Sequence, residues 1–306
     1  MNWVKRQLAA AQPADLIFLA YVLLSGLLIL MFGWRLSPGL WIGLTLSHLA
    51  ILAIGVWWSG RVARHPSVAG FFRDTYPLLF IAFLYWELRY LALLFSSGYY
   101  DSLILRWEEA VFGEQLAMTL SQRLPYLWLS ETMHFFYASY WYLLLASLVA
   151  LYLRRRFGGF RQLVFAELIV YFGCYIIFTF LPVAGPHYQF PLIGGHLSDG
   201  IFYRFVHWVL EDGGSKGAAF PSSHVAVAVT ITLVTWRYDR VVCLVTLPFV
   251  VGLTISTVYG RFHYGIDAAS GVLAAVVLVV VANAVHHWLA RIWSAQPGNA
   301  ALELPV

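Results

Sequence analysis

Charge is scarce in this chain. Only 11% of its 306 residues are Asp, Glu, Lys or Arg, while 61% are hydrophobic and the mean hydropathy is +0.74. Soluble domains carry about 25% charged residues, so this composition excludes a soluble globular protein. Cysteine is almost missing as well. Cys174 and Cys243 both fall inside apolar runs, with no CxxC and no histidine cluster beside them. That excludes a disulfide scaffold and a thiolate metal site. Soluble-domain stretches and internal repeats are absent too, which removes a multidomain or solenoid architecture.

Apolar runs fill the chain instead. A membrane-spanning helix needs roughly 20 predominantly apolar residues, and eight candidates stand at 15–34, 39–58, 76–95, 128–153, 162–183, 223–236, 240–260 and 265–290. The expected fold class is all-α, a polytopic membrane helix bundle. Many of the 13 Trp and 18 Tyr sit near run ends, as an interfacial belt requires. The first run is too long for a signal-peptide core and lacks a clear cleavage site, so it is expected to stay as a span. Stretches 101–123 and 200–211 mix charges with Leu, Phe and Trp at helical spacing, and are expected to lie at the interface as amphipathic helices. The tail from Ser294 is expected to be disordered. Three parts follow: two N-terminal helices over 1–60, a membrane core over 61–292, and the tail over 293–306.

Loop charges set the orientation. With eight spans both termini share one side, and that side holds twelve Lys and Arg against six on the other. Positive charge marks the cytoplasmic side. Loops 96–127, 184–222 and 261–264 are then extracytoplasmic, and the net charge of +4 is explained without a nucleic-acid partner. An inner, plasma-type membrane is the expected location.

This orientation puts two polar knots on one face. In "AAFPSSHVAVAVT", 218–230, Pro221, Ser222, Ser223 and His224 precede an apolar run. Proline and serine favour a helix start, and a helix N-terminus with free N–H groups accommodates an anion. Lys216, in "GGSKGAA", is a candidate cation beside it. In "YGRFHYGID", 259–267, His263 and Asp267 are four apart and share a helical face. A carboxylate there can accept from one imidazole nitrogen and leave the other as base or nucleophile. Arg261 offers planar donors to a phosphate. The set has too few carboxylates for a magnesium or calcium cage. Zinc on two histidines and an aspartate is a minor alternative, and a structural His–Asp pair is the bland one. Metal-free, cofactor-free phosphoryl transfer fits best, with one histidine attacking phosphorus and the other protonating the leaving oxygen.

These residues resemble the type-2 phosphatidic acid phosphatase superfamily, which also includes vanadium haloperoxidases. More narrowly the chain is similar to the branch of inositol phosphorylceramide synthases and their bacterial relatives. The carriers are Pro221-Ser222-Ser223-His224, matching P-S-x-H, and His263…Asp267, matching H-x-x-x-D. The resemblance covers roughly 76–290 and implies a six-helix core. It also implies His263 as the nucleophile forming a phosphohistidine, Asp267 as its orienting partner and His224 as general acid. The family's K-x6-R-P motif is missing. "LPVAGPHYQFP", 181–191, stands in its place with His187 as a candidate phosphate contact. Thr257 replaces an expected arginine, a role the resemblance passes to Arg261.

Other polar residues fall in the outer halves of spans: Glu87 and Arg89 in the third, Glu131 and His134 in the fourth. Ion pairing that holds the bundle competes with a headgroup pocket as their role. Glu167, near an inner end, is expected to be structural. The expected activity is hydrolysis of a lipid phosphate or diphosphate at the outer face. Transfer of a phosphorylated headgroup to a lipid alcohol is the alternative. A transporter or scaffold that only binds anionic lipid would instead place its polar groups near the midplane.

Overall fold

A computed structural model describes residues Trp3, Gln7, 10–62 and 64–294 of the chain. The expected disordered tail lies outside the described residues, apart from Ser294. Among the described residues the architecture is helical, with no strand beyond isolated bridges. The helices are α1 Pro13–Phe32, α2 Pro38–Ser59, α3 Val68–Leu79, α4 Ile81–Trp86, α5 Leu88–Phe95, α6 Asp101–Phe112 and α7 Leu116–Arg123. They continue with α8 Leu127–Leu153, α9 Phe157–Phe180, α10 Pro186–Gln189, α11 Ile201–Gly213, α12 Ser223–Tyr238, α13 Arg240–Tyr259 and α14 Gly265–Ser294. Among the described residues, seven helical segments are long and apolar enough to cross a membrane. The protein is an integral membrane protein with an all-α helix bundle.

The eighth expected span is α12, and it is too short to count with the others. Its 16 residues reach about 24 Å at 1.5 Å per residue, less than the roughly 30 Å of hydrocarbon. It survives because protein surrounds it: α9, α13 and α14 pack on it, and Val225, Ala226, Ala228, Thr230 and Ile231 are fully buried. Thr230 and Thr235 turn their hydroxyls back onto the Ala226 and Ile231 carbonyls at 2.8 and 2.6 Å. Gly271 of α14 allows a close backbone approach at the start of α12. A Cβ there would stand 2.6 Å from the Ser222 carbonyl.

The third expected span also differs. It starts at Val68 rather than near 76 and passes through α3, α4 and α5, with breaks at Phe80 and Glu87. Pro77 has no N–H to give the preceding turn, and Phe80 N–H tightens onto the Pro77 carbonyl at 3.2 Å.

The two N-terminal helices pack on each other, and α1 docks on α9 and α3. Polar pins hold them. Arg73 forks onto both oxygens of Asp15 at 3.0 and 2.7 Å, with both residues buried. His48 of α2 reaches Glu87 at 3.4 Å and Ser25 at 3.0 Å. A buried pair that loses one partner leaves an uncompensated charge, so these contacts fix how α1 and α2 sit on the core.

Segment 101–123 forms two short helices, broken by Gly113 at φ 70°. Segment 201–213 forms α11. Their outward faces carry Trp107, Val111, Ile201 and Trp208, the aromatic and aliphatic surface expected of interfacial helices.

Candidate active site

The two polar knots meet. His263 lies in the turn between α13 and α14, and His224 is the second residue of α12. His263 Nε2 is 3.2 Å from His224 Nδ1. His263 Nδ1 is 2.9 Å from the Ala219 carbonyl. A carbonyl only accepts, so Nδ1 of His263 carries the proton and Nε2 presents its lone pair. His224 Nδ1–H then donates to that lone pair. His224 Nε2 in turn accepts from Tyr137 O–H at 3.4 Å. One chain of bonds therefore fixes both tautomers.

Asp267 plays a different part from the one its spacing implied. Its Oδ2 is 3.6 Å from His263 Nδ1, beyond a good hydrogen bond. The same oxygen accepts the Tyr264 N–H at 2.8 Å and so caps the start of α14. The carboxylate is fully buried, and its Oδ1 has no hydrogen-bond partner. A negative charge there lies beside the imidazole and favours a cationic over a neutral ring at His263.

The carbonyl that holds His263 is itself held by pairing. Val183 N–H donates to Gly217 O at 3.1 Å, and Ala219 N–H donates to Val183 O at 3.0 Å. This bridge lays "LPVAGPHY" against "SKGAAF". Gly185, at φ 96°, takes a backbone shape that side chains resist, and α10 starts there with His187.

Two carboxylates missed as site components organise this layer. Asp101 accepts the N–H groups of Ala184 and Gly185 at 2.8 and 2.9 Å and the hydroxyl of Tyr264 at 2.9 Å. Glu108 accepts from Gly265, Ile266 and Leu116 at 3.0, 2.7 and 3.2 Å. Burial raises the pKa of Glu108, while its three amide donors oppose that rise. Both residues lie on α6, so one interfacial helix clamps the His187 loop and the His263 turn.

A small cavity of about 50 Å³ opens beside the two histidines. Its walls include His187, Tyr188, Tyr137, Ser215, Ala219 and Phe262. Several expected residues stand away from it. Ser222 is buried, and its Oγ caps Val225 N–H. Ser223 faces a larger groove that also touches His224. Arg261 donates to the Pro191 carbonyl and to Ser121 Oγ. Lys216 is exposed, with its ammonium over Tyr99 and Tyr188 at 4.9 and 5.4 Å. Arg89 reaches Gly214 O at 2.7 Å, at the cavity's edge. Glu131 caps α11 through Phe202 and Tyr203 N–H, both at 3.0 Å. Glu87 turns to His48, and Glu167 is fully buried within α9.

His134 joins His187 and His207 in an aromatic cluster around Phe262. Ring centroids are 5.8 Å apart for His134–His207 and for His187–His207. His134 Nε2, His187 Nδ1 and His207 Nε2 are all buried without a hydrogen-bond partner. Burial, then repulsion from the other two histidines, pushes His207 down to about 4. Burial alone lowers His187. Among the described residues, no three His, Cys, Asp or Glu groups are arranged to hold a metal ion.

The arrangement can attack phosphorus with a neutral imidazole and deliver a proton from a second imidazole in contact with it. No curated protein and no solved structure matches the chain. The family description "PAP2 superfamily" matches residues 102–281, more than half of the chain and the stretch that carries both knots. The chain therefore belongs to the PAP2 superfamily, whose members are generally phosphatase-type enzymes.

Proposed function

We propose that this protein is a lipid phosphatase of the outer membrane face, working through a phosphohistidine on His263. The carrying observation is the 3.2 Å contact between His263 Nε2 and His224 Nδ1, with the far nitrogen of His263 held by Ala219. The nucleophilic lone pair and a proton donor then face the same phosphorus.

In the first step Nε2 of His263 bonds to phosphorus as the P–O bond to the lipid breaks. The substrate enters as the monoanion and passes its phosphate proton to His224, and the leaving oxygen takes that proton from the imidazolium. Asp267, 3.6 Å from the ring, steadies the phosphoimidazolium. In the second step His224 removes a proton from water, the P–N bond breaks, and phosphate leaves. His187 and the polar wall of the small cavity contact the phosphate oxygens, in the place that the missing K-x6-R-P motif would fill. The loop charges support an extracytoplasmic site. The apolar groove reaching His224 supports a lipid substrate. No step calls for a metal ion.

The test is phosphate release by purified protein from a panel of lipid phosphates and diphosphates. Release from at least one lipid, and its loss in His263→Ala, is expected. Undiminished release by His263→Ala overturns the reading. The resemblance to the synthase branch carries transfer to an alcohol as a second reading, and the groove at His224 favours it.

A further inference from the structure

The junction between α4 and α5 is held from two opposite sides. Tyr85 and Arg89 are four residues apart and share one helical face, whereas Glu87 between them points the other way. Glu87 keeps right-handed helical backbone angles, so this rotation carries across the junction. On the first face, Arg89 donates to the Gly214 carbonyl at 2.7 Å. Tyr85 meets the Ser215 backbone, and Gly214 and Ser215 border the small cavity. The two side chains thus grip the start of a strap, 214–219. Its far end is the Ala219 carbonyl that fixes the tautomer of His263. Ties join the two ends: Ala218 N–H donates to Ser215 O at 3.2 Å, and Ala219 N–H to Val183 O at 3.0 Å.

On the opposite face Glu87 meets the N-terminal helix pair. Its carboxyl is fully buried, with Oε1 3.4 Å from His48 Nε2 of α2. Neither oxygen has a regular hydrogen-bond partner among the described residues. His48 Nδ1 is 3.0 Å from the Leu44 carbonyl and so carries a proton, which leaves Nε2 open to a donor. Ser25 Oγ of α1 lies 3.0 Å from that nitrogen. Gly26 leaves room for the ring, since a Cβ there would stand 3.1 Å from it.

An ionisable side chain at membrane depth is costly and marks function. Seating the helix does not call for one here, because Leu84, Leu88 and Leu91 already bury almost completely. What Glu87 adds is a fixed point directly behind Tyr85 and Arg89. We infer that Glu87 and His48 are positioning residues for the catalytic histidines. Through them the N-terminal pair sets the rotation of the junction, Tyr85 and Arg89 set the strap, and the strap sets the Ala219 carbonyl on His263. Residues 25, 48 and 87 all lie outside the 102–281 stretch that matches the family, so this support is an addition to the family core. Its effect on the rate rests on the phosphohistidine reading, whereas its effect on the strap does not.

The full chain in detergent micelles allows two readouts: hydrogen exchange at the Ala218 and Ala219 amides, and phosphate release from hexadecyl phosphate. Glu87→Leu keeps the apolar packing and leaves Ser25 as a donor to His48, so the chain should still fold. Exchange at both amides should rise at least about tenfold. The kcat should fall about 10- to 100-fold with KM within about twofold, because the nucleophile rather than the substrate is displaced. Glu87→Gln can donate an amide N–H to His48 and should return both readouts to within about threefold of wild type. Asp15→Asn weakens the other pin on α1, at Arg73. It should lower the melting temperature and leave both readouts unchanged. Wild-type exchange in Glu87→Leu overturns the positioning role, as does faster exchange with wild-type kcat. Equal losses in Glu87→Gln and Glu87→Leu, or in Asp15→Asn and Glu87→Leu, also overturn it. Faster exchange in Glu87→Leu, restored in Glu87→Gln, in a protein that releases no phosphate from any lipid phosphate keeps the positioning and defeats the phosphatase reading instead.

Discussion

His263 and Asp267, four residues apart, do not share a hydrogen bond. The imidazole proton goes to the Ala219 carbonyl at 2.9 Å, and the carboxylate stands 3.6 Å away with its oxygen on Tyr264 N–H. Asp267→Asn should therefore keep the turn, since an amide oxygen can still cap Tyr264. It removes the charge that favours the phosphorylated ring. We expect kcat to fall about 10- to 100-fold with the melting temperature within a few degrees of wild type. Asp267→Ala should also lose stability, by about 1–3 kcal/mol. Equal melting temperatures for the two variants would contradict the capping role.

His224 is cast as the proton donor, so its loss should depend on the leaving group. His224→Ala should lose about 10²–10⁴-fold on an alkyl phosphate. On p-nitrophenyl phosphate, whose leaving oxygen needs no proton, the loss should be markedly smaller. Equal losses on both substrates would remove the acid role.

Asp101 and Glu108 hold the site without touching it. Asp101→Ala leaves two buried amides and the Tyr264 hydroxyl without their acceptor. A loss of about 2–4 kcal/mol is expected, together with a fall in kcat. Glu108→Gln keeps one of the two acceptor oxygens and should cost less than Glu108→Ala in thermal melts. Wild-type stability in Asp101→Ala would refute the clamp.

These clamps mark the limit of what the sequence discloses. Pro221-Ser222-Ser223-His224 and His263…Asp267 are legible because the chemistry lies in side chains at short spacing. Loop charge counts place both on one face. The bundle is legible because hydrocarbon demands long apolar runs. Asp101 meets Tyr264 across 163 positions, and its other bonds go to backbone amides that have no residue signature. The Ala219 carbonyl that fixes His263 is silent for the same reason. Arg261 looked like a phosphate ligand because its chemistry fits, yet at φ 61° its guanidinium turns to Pro191 and Ser121. The break at Phe80 had a visible signal in Pro77, overridden by apolar composition.

The histidine cluster predicts an acid limit. His207 is pushed down to about 4 by burial and by its histidine neighbours, against about 6.5 in an unfolded chain. Between those values the unfolded state binds more protons, so stability rises with pH there. Stability is undiminished above pH 6.5 and falls as pH drops toward 4, by at most about 3 kcal/mol and by less once solvent screening of this half-buried ring is counted. His207→Gln should flatten that slope in thermal melts. An unchanged slope would place the acid sensitivity elsewhere.

The central claim is that His263 carries the phosphoryl group. Rapid acid-free quenching of the protein with a ³²P-labelled lipid phosphate tests it most directly. The account predicts label on the wild-type chain that survives alkali and is released by acid, as a phosphoramidate is. It also predicts no label in His263→Ala. Wild-type levels of acid-labile label in His263→Ala, or phosphate release without any labelled chain, would contradict it.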